Sequence, residues 1–108
     1  VTLFMAELAV ADVAASLRFY RDRLGLPVQV WDEATGFALL AAGGRLALKP
    51  GTPGGGVTVH FRVDDLAAEL RRLDEPAEVK VSPEGYRRAK LADPDGYAVV
   101  LFEWCRPG

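Results

Sequence analysis

Glu7 and His60 are the residues of this chain best suited to proton or ligand chemistry. They are a carboxylate and the only imidazole in the sequence, and they stand at equivalent points of an internal repeat. Residues from Glu7 to Arg18 recur in the same chemical order from His60 to Arg71. At one constant offset Val10 meets Val63, Asp12 meets Asp65, Leu17 meets Leu70 and Arg18 meets Arg71. The same offset sets Gly43 against Gly96, and Leu46-Ala47-Leu48 against Val99-Val100-Leu101. A carboxylate and an imidazole facing each other across a pseudo-twofold seam could pair and orient a cavity wall, recognise a polar ligand, or act as general acid and base. Arg62, two residues beyond His60, would add an anion contact. Phe102 and Trp104 share the same strand face, and Trp31 could line the same cleft or fill a core.

The elements that must position these groups follow from periodicity and turn chemistry. A strand from Thr2 to Val10 leads to Asp12, a helix cap, and then to a 3.6-period run through Val13, Leu17, Tyr20 and Leu24 that Gly25 closes. Strands from Pro27 to Asp32, Phe37 to Ala42 and Arg45 to Lys49 follow, with turns at Thr35-Gly36 and Gly43-Gly44, completing a βαβββ module over residues 1–50. Pro50 to Gly56 is the linker, and Gly54-Gly55-Gly56, lacking a following helix and Lys, reads as hinge rather than phosphate loop. A second module over 57–104 repeats the order: a strand from Val57 to Val63, a helix capped by Asp64 or Asp65 and stopped by Glu75-Pro76, then strands near Val79 to Val81, Tyr86 to Ala92 and Tyr97 to Trp104. Strand alternation puts Phe4, Ala6, Leu8 and Val10, and in the repeat Val57, Val59, Phe61, Val63, Val99 and Leu101, under the helices. The opposite face then carries Glu7, His60, Arg62, Val100, Phe102 and Trp104, a mixture of rings and ionisable groups suited to a cavity wall. Register between Glu75 and Ala92 stays open. Asp93-Pro94-Asp95-Gly96 has the composition of a tight turn.

Bulk properties narrow the function classes. The 108 residues, half of them apolar, form a single domain with material for a core, and a formal net charge of −2 with scattered basic residues gives no reason to expect nucleic acid or an anionic membrane. No apolar run is long enough to span a bilayer, and the lone Cys105 has no disulfide partner, which fits a soluble, cytoplasmic protein.

The run Val10-Ala11-Asp12 through Leu17, Phe19-Tyr20 and Leu24-Gly25-Leu26, with Asp93-Pro94-Asp95-Gly96-Tyr97 and Val99-Val100-Leu101-Phe102-Glu103, resembles the vicinal oxygen chelate superfamily of glyoxalase I, bleomycin resistance proteins and extradiol dioxygenases. The resemblance implies an α+β fold of paired βαβββ modules curling into a partly open barrel, usually a homodimer; fold alone does not assign chemistry. It also implies metal ligands seven residues before each capping Asp and on the last strand of each module. Those positions are Met5, Thr58, Ala47 and Val100, none of them an imidazole or carboxylate. The expected function is therefore metal- and cofactor-independent binding of a small organic, aromatic or antibiotic-like molecule in an inter-module cleft lined by Glu7, Trp31, His60, Arg62, Phe102 and Trp104. The alternative is a glyoxalase-like lyase or dioxygenase-like enzyme with an atypical metal or acid/base site at Glu7 and His60.

Overall fold

Asp12 and Asp65 open the two helices with almost the same backbone geometry, φ −142°, ψ 103° and φ −140°, ψ 100°. Each carboxylate accepts from the amide three residues on, Ala15 at 3.3 Å and Ala68 at 3.1 Å, satisfying one of the donors a helix start leaves free. The computed structural model describes residues 3–105. Contacts divide the chain into two compact units, with the boundary between Gly55 and Gly56, inside the Gly/Pro-rich linker.

In the first unit β1 (Ala6–Val10) leads into α1 (Val13–Leu17), then β2 (Val28–Asp32), β3 (Phe37–Ala42) and β4 (Gly44–Pro50). The strands form one sheet in the order β1-β4-β3-β2, with β1 parallel to β4 and the other pairs antiparallel. After Leu17 the helix widens into a π-type turn over Arg18–Arg23, in which the Leu24 amide donates to the Phe19 carbonyl at 3.0 Å. The wider turn allows the consecutive rings of Phe19 and Tyr20 to be buried together, edge to face at 5.0 Å. Gly25, at φ 81°, ends it. Val10, Val13, Leu17, Leu40, Leu46 and Leu48 form the core of this unit, with α1 against β4.

The second unit repeats the plan. β5 (Thr58–Arg62), α2 (Leu66–Leu73), β6 (Lys80–Ser82), β7 (Tyr86–Ala92) and β8 (Ala98–Trp104) give a sheet in the order β5-β8-β7-β6, with β5 and β8 parallel. α2 packs on β7 and β8 through Leu66, Leu70 and Leu73. Its end is closed by Asp74 in the left-handed conformation (φ 54°): the Asp74 amide donates to the Arg71 carbonyl and the Glu75 amide to that of Leu70. Between β7 and β8 the buried Asp93 accepts from the amides of Asp95 and Tyr97, both at 2.9 Å, so this carboxylate builds the turn. Among the described residues there are thus eight strands in two open four-stranded sheets and two α-helices, the expected α+β architecture with no closed barrel.

Several expectations need correction. β1 starts at Ala6, so Leu3, Phe4 and Met5 precede it; the expected start at Thr2 lies outside the described residues. Phe4, expected to pack under the helix, is 59 % exposed and its ring meets the Arg45 guanidinium at 4.5 Å; Ala6 is exposed as well. Val57 precedes β5 and is exposed, because the parallel ladder with β8 begins at Thr58. Val100 shares a face with His60, as expected, and is buried at 2 % exposure.

Candidate functional site

β8 lies inside the second sheet, so pairing on both sides fixes what stands beside each of its residues. On the helix-facing side Val99 sits between Val59 and Leu91, and Leu101 between Phe61 and Ala89. The other side carries His60 beside Val100 and Lys90, Arg62 beside Phe102 and Arg88, and Tyr86 beside Trp104. β6 extends these rows by placing Lys80 opposite Arg88 and Ser82 opposite Tyr86.

The pairing assembles a triangle of rings. Phe102 and Trp104 are 5.4 Å apart between centroids, Tyr86 and Trp104 5.7 Å, and Tyr86 and Phe102 6.0 Å, all edge to face. Trp104 remains 49 % exposed, so the triangle presents aromatic surface outward instead of closing a core. Beside it a cavity of about 250 Å³ is lined by Glu78, Lys80, Arg88 and Lys90. His60 and Arg62 are exposed on the same face, as the alternation predicts.

The sequence reading placed Phe102, Trp104, His60 and Arg62 on this face, and the register agrees; it did not place Tyr86, Lys80, Arg88 and Lys90 beside them. The signal was present in the alternation of β7, whose bounds were expected correctly; its pairing with β6 and β8 was the missing step. Glu103 was missed too. It lies on the helix-facing side, where Oε1 accepts from the Leu66 amide at 2.8 Å and Oε2 meets Arg87 at 3.2 Å.

In the first unit Glu7 registers with Ala47, and its Oε1 lies 3.3 Å from Lys49 Nζ. This carboxylate therefore has an ammonium partner within its own sheet. Trp31 is placed elsewhere: it registers with Ala38, which registers with Leu48, so it belongs to the helix-bearing face and not to the face of Glu7. A bulge between Val28 and Val30 shifts the alternation of β2, and Trp31 ends 42 % exposed. The metal positions implied by the resemblance hold a thioether at Met5, a methyl at Ala47, a hydroxyl at Thr58 and an isopropyl group at Val100, with Ala47 and Val100 buried. These donors do not fit a divalent cation that takes imidazole and carboxylate. Among the described residues no group of three or more His, Cys, Asp or Glu side chains is placed to hold a metal ion.

Two βαβββ units, each with a helix packed on a four-stranded sheet, define a protein class, and the comparisons agree. The chain matches the Glyoxalase/Bleomycin resistance protein/Dioxygenase superfamily over residues 2–101 and belongs to it. Among solved structures it is similar to TnmS3, an antibiotic binding protein from Streptomyces sp. CB03234, with 25 % identity, 96 % of each chain covered and a TM-score of 0.80. It is also similar to a glyoxalase / bleomycin resistance protein from Catenulispora Acidiphila DSM 44928, with 28 % identity, 92 % of this chain and 95 % of the other covered and a TM-score of 0.71. A lactoylglutathione lyase from Agrobacterium tumefaciens shares the fold at 22 % identity, a TM-score of 0.73 and coverage of 94 % and 92 %. No curated protein sequence matches this chain. Among the described residues no helix is long and apolar enough to cross a membrane.

Proposed function

We propose that this chain binds a small organic molecule without a metal, on the open face of the second sheet. The observation that carries the reading is the outward triangle of Tyr86, Phe102 and Trp104, whose shared surface offers a flat ring both stacking and apolar burial. The similarity to an antibiotic binding protein over nearly the whole chain supports it. The enzymatic alternative at Glu7 and His60 has less support, since the Glu7 carboxylate is engaged by Lys49.

The test is a thermal-shift screen of aromatic compounds, followed by titration of each hit against Trp104→Ala and Phe102→Ala. A hit present at a hundred times its Kd stabilises the fold by about 2.7 kcal/mol. Each alanine variant is expected to weaken binding roughly tenfold, the order of one lost ring contact. Hits whose affinity ignores both substitutions would remove the site from this face. Conversion of a hit that depends on metal or pH and disappears in His60→Ala would replace binding by catalysis.

A further inference from the structure

The face of the second sheet opposite α2 concentrates cations that no ion pair among the described residues neutralises. Arg62, Phe102, Arg88 and Lys80 follow one another across the strands, and Lys90 stands in the neighbouring row with His60 and Val100. Lys80 and Arg88 are direct partners across β6 and β7, a like-charge pairing that works against the sheet. Arg87 supplies the contrast: it points to the other face and is bridged to Glu103 at 3.2 Å. Among the described residues no carboxylate forms an ion pair with Arg62, Lys80, Arg88 or Lys90. General basicity does not explain the patch, because the whole chain carries a formal net charge of −2. Like charges gathered on adjacent strands at a cost to folding mark a place where an opposite charge is to be received.

We infer that the ligand of this face is an anionic aromatic compound, a flat ring system bearing a carboxylate or similar acid. The inference rests on the binding reading above and names the class of ligand. The ring lies against Tyr86, Phe102 and Trp104, and the acid group turns towards Arg88, Lys90 and Lys80. The exposed Glu78 also lines the cavity beside these three cations, which keeps it positive overall while disfavouring a second acid group on that side. At about 250 Å³ the cavity is smaller than the roughly 300 to 1,000 Å³ of drug-sized sites, so it suits the acid end of the molecule while the rings take the remainder. A basic face with aromatic rings also suits single-stranded nucleic acid, but here the rings form one closed cluster instead of a track along which successive bases could stack.

Calorimetric titration of the whole chain with naphthoate, naphthylmethanol and naphthylmethylammonium varies the charge on one ring system. Naphthoate is expected to bind on the order of tenfold tighter than the alcohol and the ammonium to bind weakest, with the difference shrinking as salt is raised. The double variant Arg88→Gln/Lys90→Gln should lose the preference for naphthoate while keeping its affinity for the alcohol. Equal affinity for all three probes would overturn the charge inference and leave the binding reading standing. Binding of none of them would overturn both. A single-stranded oligonucleotide bound more tightly than naphthoate, with that binding lost on Phe102→Ala, would reassign the face to nucleic acid.

Discussion

Replacing Glu103 separates the hydrogen-bonded start of α2 from the rest of the second unit. Its side chain is 20 % exposed, with Oε1 2.8 Å from the Leu66 amide, the first residue of the helix, and Oε2 3.2 Å from Arg87. Asp65 satisfies the Ala68 amide, so the two carboxylates divide the free donors of one helix end. A hydrogen bond to a charged acceptor contributes about 1.5–3 kcal/mol, the charge at the helix start about 0.3–1, and an exposed ion pair about 0–1. The site borders an open cavity of about 360 Å³, through which water can reach the abandoned amide, so Glu103→Ala should fall near the lower end of the sum, at about 2 kcal/mol. An unfolding entropy of roughly 2.1 cal/mol/K per residue over 108 residues converts this to a drop of about 9 °C in the thermal midpoint. Glu103→Gln keeps an acceptor without its charge and should lose about half as much. Circular dichroism melts of both variants and of Arg87→Met give the comparison. A loss below about 0.5 kcal/mol in Glu103→Ala would refute the capping argument, and a full loss in Arg87→Met would transfer the effect to the ion pair.

Two further substitutions test backbone geometry. Gly36 combines φ 76° with a position where an added Cβ would come within 2.7 Å of Pro50 Cγ, so Gly36→Ala should destabilise by about 2 kcal/mol or more in urea unfolding. Asp74 closes α2 from the left-handed region at φ 54°, and Asp74→Gly should raise stability by roughly 0.5–1 kcal/mol in the same assay, whereas Asp74→Ala should lower it.

What was legible in the sequence was what depends on near neighbours. Asp12 and Asp65 cap helices through amides three residues away, and Asp93 folds its turn through amides two and four residues away, so local spacing was enough. The limits of β3 and β7 were expected residue for residue, because Gly and polar turns bound them. What escaped depends on partners far along the chain. Tyr86, Arg88 and Lys90 come to lie beside the candidate site residues only through pairing with Trp104, Phe102 and Val100. Trp31 was misplaced because a single bulge shifts β2, and nothing in the run Val28-Gln29-Val30 announces a bulge. Phe4 continued an apolar alternation beyond the last residue with a ladder partner, so hydrophobicity promised packing that pairing does not deliver.

The widened turn after α1 bears on how this chain can change length. A helix that accommodates one residue too many does so by bulging, and Arg18–Arg23 is such an accommodation, with the surplus absorbed before Gly25. Removing one residue there would let the coil tighten to its ordinary pitch while Val13 and Leu17 keep their seats, at the expense of burying Phe19 and Tyr20 side by side. The second helix, Leu66–Leu73, has no such surplus and ends at once in its left-handed cap. The two halves of the repeat thus differ in where they can gain or lose a residue, and divergence in length can enter the first half without disturbing the residues that hold its helix to the sheet.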